Sequence, residues 1–170
     1  NALNSSILYT SCLDGYPFTS GDPNWRKASF ERKNSPTPLN YRPEANNDIP
    51  YSSDMMKGIQ VKQPFRAGDL ENTLEFHIPT TELENVKLSF AVSTDGAAQT
   101  LLVDYWDGSD WSTTNLMNPS ETISDTFEVK LFDFSDVLLA NDNPDFTVRM
   151  RFDGTDMYAE ESKEVVFNNI

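Results

Sequence analysis

The sequence predicts an all-β protein, an antiparallel β-sandwich of about eight or more strands. Apolar and polar residues alternate along several segments from residue 55 onward, which gives each segment one face for a core and one for solvent. Turn-forming pairs such as Asp95-Gly96, Asp107-Gly108 and Asp153-Gly154 separate these segments at spacings of about ten residues. No segment carries a sustained helical period.

The first part of the chain is rich in proline. Six of the 10 prolines lie within residues 1–50, and proline excludes long helices and central strands. We therefore expect short strands joined by long loops. Residues 6–13 form the clearest strand, residues 28–32 a second candidate, and residues 34–53 either an ordered loop packed on the core or a linker.

The second part carries the regular strands. A tight hairpin is predicted at Asp107-Gly108-Ser109-Asp110, between Trp106 and Trp111. Residues 135–140 could form a single helical turn. We interpret the chain as one domain, residues 1–170, in which residues 1–54 are rich in loops and residues 55–170 hold the strands. Predicted strands are residues 74–78, 86–92, 101–106, 127–131, 146–152 and 164–170.

Composition and charge narrow the possible functions. The 170 residues include 27 acidic and 13 basic side chains, a net charge of −14, which disfavours binding to nucleic acid or to an anionic membrane. Cys12 is the single cysteine and His77 the single histidine, so neither a disulfide nor a multi-histidine zinc site can form within the chain. The chain begins at Asn1 without an apolar leader, and we expect a mature or excised piece of a larger protein.

Four stretches of the second part carry a family resemblance. They are NTLEFHIPTTELENVKLSFAVST, LLVDYWDGSDW, FTVRMRFDGT and EVVFNNI. This order resembles the jelly-roll superfamily of galactose-binding-like carbohydrate-binding modules, and also adhesin-type and MAM-like domains of secreted bacterial proteins. The likeness covers residues 55–170. It implies a jelly-roll fold and a non-catalytic module attached to a secreted bacterial polysaccharidase or a surface adhesin.

The same resemblance implies a structural calcium ion. Many relatives hold Ca²⁺ between the first strand and the last. The family's terminal aspartate corresponds to Asn168 here, and Asp14 lies nearest to its early acidic position. Because asparagine ligates only through its carbonyl oxygen, the resemblance implies a weak site. The acidic loop at residues 153–161 is a second oxygen-rich candidate, although most such loops are simply solvated.

Alternation places a candidate sugar-binding set on a solvent face. Asp104 and Trp106 point outward if their neighbours in the strand face the core, and Lys87, Arg149 and Arg151 point outward from their own strands. An exposed tryptophan stacks on the apolar face of a pyranose, while charged groups bond its hydroxyls. Alternatively, Trp106 caps the edge of the core and the charges pair across strands.

The remaining aromatic residues allow two interpretations each. Trp25 lies in a turn-rich loop and could be a binding platform or a plug beneath that loop. Trp111 is expected to pack on neighbouring strands. Tyr41 and Tyr51 could line a groove or anchor the proline-rich loop.

These observations favour a carbohydrate-binding module of a secreted multi-domain enzyme. Its partners would be a polysaccharide or oligosaccharide and an appended catalytic domain. The alternative is a structural or adhesive domain of a bacterial surface protein that binds no glycan. We do not expect an enzyme, because no pair of carboxylates stands out among the acidic residues. Exposure of the tryptophans separates the first two hypotheses, since a spacer would bury all three.

Overall fold

The computed structural model describes residues 4–33 and 58–168. Thirteen strands and one short 3-10 helix, Leu138–Ala140, lie within these residues. Across both ranges, no helix is long and apolar enough to cross a membrane. The strands are β1 (Ser6–Thr10), β2 (Phe30–Arg32), β3 (Ile59–Lys62), β4 (Arg66–Ala67), β5 (Leu70–Glu71), β6 (Thr73–His77), β7 (Lys87–Thr94), β8 (Thr100–Trp106), β9 (Trp111–Ser112), β10 (Ser120–Thr122), β11 (Glu128–Asp133), β12 (Thr147–Asp153) and β13 (Glu164–Asn168).

Two antiparallel sheets form the protein. The first sheet has the order β1-β6-β12-β8-β10, with β9 paired to β8, and the second has the order β11-β7-β13-β3-β2. The strands β4 and β5 form a separate two-stranded ribbon. The predicted all-β antiparallel sandwich is thus confirmed, whereas the jelly-roll connectivity stays a prediction. The proposed loop at residues 34–53, with Tyr41 and Tyr51, lies outside the described residues.

The core lies between the two sheets and is dominated by phenylalanine. Phe152 of β12 and Phe167 of β13 meet across the sheets with ring centroids 6.3 Å apart. Because each buried aromatic ring removes a large apolar area from water, each contributes about 2–3 kcal/mol to stability. The fully buried phenylalanines are Phe65, Phe90, Phe132, Phe134, Phe146, Phe152 and Phe167.

The strand β11 is shifted by one residue from the predicted alternation. Val129 and Leu131 were expected to face the core, yet they are 44 % and 42 % exposed, whereas Phe132 is fully buried. Phe132 lies opposite Leu88 of β7 and stacks near Phe90, with centroids 5.8 Å apart. The prediction was wrong because a larger aromatic residue at the end of the strand gains more from burial than the two aliphatic residues before it.

The predicted hairpin between the two tryptophans is confirmed. Trp106 of β8 pairs with Trp111 of β9. The Oδ1 atom of Asp107 accepts hydrogen bonds from the backbone N–H groups of Ser109 and Asp110, at 2.8 and 2.9 Å. These bonds lower the pKa of Asp107. Gly108 adopts φ 103°, a conformation that glycine reaches without steric cost. The hairpin therefore fixes the two rings next to each other.

Candidate functional site

The outer face of the first sheet carries a shallow, open depression of about 790 Å³. The strand register determines which residues form the floor of the depression. Ser6 of β1 and Thr147 of β12 both lie opposite His77 of β6. Trp106, at the end of β8, stands beside this row. The residues lining the depression are Asn4, Ser6, His77, Ile78, Pro79, Trp106, Pro144, Asp145, Phe146 and Thr147.

Trp106 is the exposed aromatic ring of this depression. Its exposed fraction is 41 %, whereas a spacer domain was expected to bury it. The Trp111 ring meets it edge-on, with centroids 5.6 Å apart and an interplanar angle of 70°. Trp111 is half-buried against its neighbours, in line with the packing role expected for it. One ring thus faces solvent while the other holds it in place.

The floor of the depression is polar and ordered. The Oγ1 atom of Thr147 lies 3.2 Å from Nδ1 of His77, and its hydroxyl donates to the carbonyl oxygen of Asp145 at 3.1 Å. When that hydroxyl donates to Asp145, the Nδ1–H tautomer of His77 can donate to Thr147. Alternation along its strand places His77 on the solvent face, which is typical of an ordinary surface residue. Its proximity to Trp106 depends on the order of the strands, which alternation does not give.

The charges predicted to contact a sugar bind one another. Nε and Nη2 of Arg149 donate to the two carboxylate oxygens of Asp104, at 2.9 and 2.7 Å. Nη2 of Arg151 donates to the same carboxylate at 3.0 Å. Asp104 points to the outer face as predicted but is only 3 % exposed. Two arginines thus occupy the carboxylate, which is the cross-strand pairing of the alternative interpretation. Bonding of these three groups to sugar hydroxyls stays a prediction.

Arg149 also contacts the aromatic pair. Its guanidinium carbon lies over the Trp111 ring, 4.2 Å from the centroid, which is a close cation–π contact. Arg151 reaches in the opposite direction, where Nη1 lies 3.4 Å from a carboxylate oxygen of Glu71. The two arginines thus link the paired tryptophans to the acidic residues of β8 and β5.

Lys87 lies away from this site. It begins β7, in the second sheet, and its Nζ atom lies 3.0 Å from Asp133 of β11. Hydrogen bonds from the hydroxyl and backbone N–H of Ser135, together with Lys87, lower the pKa of Asp133 to about 2. Lys87 does point outward as predicted, but it faces solvent on the other side of the sandwich from Trp106. The prediction that Lys87 lies next to Trp106 was wrong, because periodicity assigns a side chain to a face of its strand and does not say to which sheet the strand belongs.

Trp25 forms a separate exposed feature. It is 50 % exposed and is absent from the described lining of the depression. The neighbouring Arg26 lies 5.8 Å from its ring centroid and forms an ion pair with Glu31 at 2.8 Å. Trp25 is therefore an exposed loop residue and not a plug beneath the loop, and it lies outside the site around Trp106. Its role as a binding platform stays a prediction.

The residues implied for calcium lie on different elements of the fold. Asp14 is exposed in the loop after β1, at the edge of the first sheet. Asn168 is buried at the end of β13, where it pairs with Ala91 of β7. Among the described side chains, no three His, Cys, Asp or Glu groups form a metal-holding cluster. Calcium also uses backbone and amide oxygens, so the implied ion stays a prediction.

Comparisons with known proteins give little further information. No protein-family model matches the sequence, and no curated protein is similar to it. One similar solved structure is the K1 cleaved adhesin domain of Lys-gingipain from Porphyromonas gingivalis W83. The identity is 17 %, the match covers 96 % of this chain and 95 % of that chain, and the TM-score is 0.38. These values are too low to transfer a fold or a function, so the fold described above rests on the strand pairings.

Proposed function

We propose that this chain is a non-catalytic carbohydrate-binding module of a secreted or surface-exposed bacterial protein, and that it binds glycan at the depression beside Trp106. The observation that carries the proposal is the exposed Trp106 ring at the wall of an open, polar depression. Binding sites for small ligands are concave, and they combine an apolar surface with a few placed polar groups. The Trp106 depression has both properties.

The chemistry of the lining suits a sugar ring. The aromatic face of Trp106 offers a surface for the C–H groups of a pyranose. Hydroxyls of Ser6 and Thr147, the amide of Asn4 and the ring of His77 supply donors and acceptors around it. Because sugar hydroxyls both donate and accept, such a mixed neutral set can satisfy them in several orientations.

The proposed role is to hold a partner on its substrate. A module that binds polysaccharide raises the local concentration of an appended catalytic domain, which increases the rate without new chemistry. The partners in this proposal are accordingly a polysaccharide or oligosaccharide and a catalytic domain in the parent protein.

Affinity electrophoresis against a panel of plant and algal polysaccharides tests the proposal. We expect at least one glycan to retard the protein, and Trp106→Ala to abolish the retardation. Trp25→Ala is the matched control, since it also removes an exposed tryptophan but leaves the depression intact. Loss of retardation in Trp25→Ala alone would move the site to the loop. If no glycan retards the folded protein, the proposed function is wrong.

A structural or adhesive domain without glycan binding is the second candidate. The mutual pairing of Asp104, Arg149 and Arg151 favours it, because groups expected to bind sugar instead stabilise the sheet. The net charge of −14 also suits a spacer that must remain soluble and avoid polyanions. Absence of retardation by every glycan in the panel would support this candidate.

A further inference from the structure

In the described part of the chain, one acidic side chain lines the Trp106 depression, and two more lie in the hairpin next to Trp106. Asp145 belongs to its lining, and Asp107 and Asp110 lie in the hairpin that joins Trp106 to Trp111. All three aspartates are exposed. Asp107 is held anionic by its hydrogen bonds to the turn. A ligand that stacks on Trp106 therefore approaches three carboxylates.

Lysine and arginine are missing from the part of the depression that the structure describes. Behind the paired tryptophans, the guanidinium of Arg149 is bound to both oxygens of Asp104 and packed over Trp111. Its charge is thus paired with Asp104, and Arg151, which shares that carboxylate, also pairs with Glu71. An anionic sugar would find no lysine or arginine side chain among the described lining residues to bind its carboxylate or sulfate.

We infer that the ligand of this depression is an uncharged glycan, and that the site excludes glycans that carry carboxylate or sulfate groups. The inference rests on the proposed function and assigns its substrate class. Two like charges about 7 Å apart repel enough to weaken binding roughly threefold in bulk water, and more strongly near a protein surface. Three such aspartates, in a protein whose net charge is −14, should therefore disfavour an anionic chain by at least roughly tenfold at low salt.

One polymer in two charge states provides the test. A neutral polysaccharide that the panel identifies as a ligand is compared with the same polymer after partial oxidation of its C6 hydroxyls to carboxylates. The two chains then differ in charge but keep one backbone. Affinity is measured by isothermal titration at low ionic strength and at about 0.5 M salt, where the Debye length falls to a few ångströms.

We expect the oxidised polymer to bind at least roughly tenfold more weakly at low salt, and high salt to reduce this difference. The affinity for the neutral polymer should change little with salt. Asp145→Asn should lower the ratio of the affinity for the neutral polymer to that for the oxidised polymer by about threefold. Asp69→Asn is the matched control, because Asp69 is an exposed acid in the turn between β4 and β5, near the Asp153 end of the first sheet, and its substitution changes the net charge equally.

Other results would overturn either the proposed preference for uncharged glycans or glycan binding itself. Equal or tighter binding of the oxidised polymer would overturn the substrate class while leaving the glycan-binding function in place. An equal effect of Asp69→Asn and Asp145→Asn would also overturn it, because the exclusion would then come from net charge alone. Failure of every neutral polymer to bind contradicts the proposed function itself.

Discussion

The guanidinium of Arg149 lies over the ring of Trp111, 4.2 Å from its centroid. The same group is held by Asp104 through two hydrogen bonds, and Trp111 in turn meets the edge of Trp106. A buried ion pair thus orders the aromatic wall of the depression. We interpret Arg149 as a positioning residue for Trp106.

Replacing Arg149 with lysine tests this interpretation. Lysine keeps the charge but loses the bidentate pair and the planar contact with Trp111. We expect the free energy of unfolding to fall by about 1–3 kcal/mol, since Asp104 is nearly buried and keeps only Arg151 as a full partner. Urea unfolding measures this change. Lys87→Gln is the control, and it should have a much smaller effect because its ion pair is exposed; equal losses in both variants would contradict the positioning role.

The register of β11 gives a matched pair of substitutions. Phe132→Ala should lower the free energy of unfolding by about 3–5 kcal/mol, since it empties a filled core position. Leu131→Ala should lower it by less than about 1 kcal/mol, because Leu131 already faces solvent. Thermal or urea unfolding of the two variants distinguishes them. A larger loss in Leu131→Ala would mean that the sequence-based alternation, and not the observed register, is correct.

The low pKa of Asp133, about 2, predicts a pH-dependent stability. A carboxyl group whose pKa is lower in the folded than in the unfolded protein stabilises the fold above its unfolded value, near 4, and this contribution is lost as the pH falls toward 2. Asp133→Asn should therefore have a lower melting temperature than the original protein at neutral pH. The difference should shrink below pH 4 and vanish near pH 2.

The donors to Asp133 can be separated by substitution. Ser135 supplies a hydroxyl at 2.5 Å and a backbone N–H at 2.9 Å, so Ser135→Ala should reduce the pH-dependent difference more than Lys87→Gln does. Melting temperatures measured from pH 2 to pH 7 give both comparisons. A pH-independent difference would show that the Asp133 carboxylate has no special stability in the fold.

Cys12 should be chemically inert in the folded protein. It is buried, and its Sγ atom donates to the carbonyl oxygen of Pro64 at 3.4 Å. Burial raises the pKa of the thiol to about 11, which removes the reactive thiolate at neutral pH. We expect a disulfide reagent to label the native protein far more slowly than the unfolded protein. Because Cys12 is the single cysteine of the chain, total labelling reports this residue alone, and rapid labelling at pH 7 would contradict its burial.

The implied calcium site predicts a change in thermal stability. An ion that binds only the folded state at a Kd of about 1 mM would add about 1.4 kcal/mol at 10 mM calcium. Melting curves with calcium and with a chelator measure this shift. Asp14→Asn should abolish it, and exposed Asp14 can be replaced without disturbing the core. An unchanged midpoint removes calcium from the description and leaves Asn168 as a buried residue at the end of a strand.

Periodicity predicted most of the strands because one apolar face dominates each of them. Thus β8 and β12 appear close to their predicted bounds, and Trp106 faces solvent as alternation requires. The same rule failed at β11, where a run of apolar residues of both parities, Val129, Leu131 and Phe132, leaves the register undetermined. In such a segment the choice depends on packing against the facing strand, which the segment itself does not encode.

The composition of the site was harder to predict than its aromatic wall. Alternation gives the direction of a side chain, whereas its neighbours depend on which strands pair. The order β6-β12-β8 brings His77 and Thr147 to Trp106 and leaves Lys87 in the other sheet. It also places Asp104 opposite Arg149, so that these two groups pair with each other. Long-range strand order is therefore the information that the local pattern lacks.

The ion triad of Asp104, Arg149 and Arg151 has a consequence for how this domain can diverge. Loss of Asp104 alone would leave two like charges side by side, and loss of either arginine would weaken the neutralisation of a nearly buried carboxylate. Single replacements are therefore costly, while a joint exchange to three apolar residues of similar volume can be neutral. In homologous sequences these three positions should change together, and lineages that exchange the triad should also change Trp111, which loses the cation stacked on its ring.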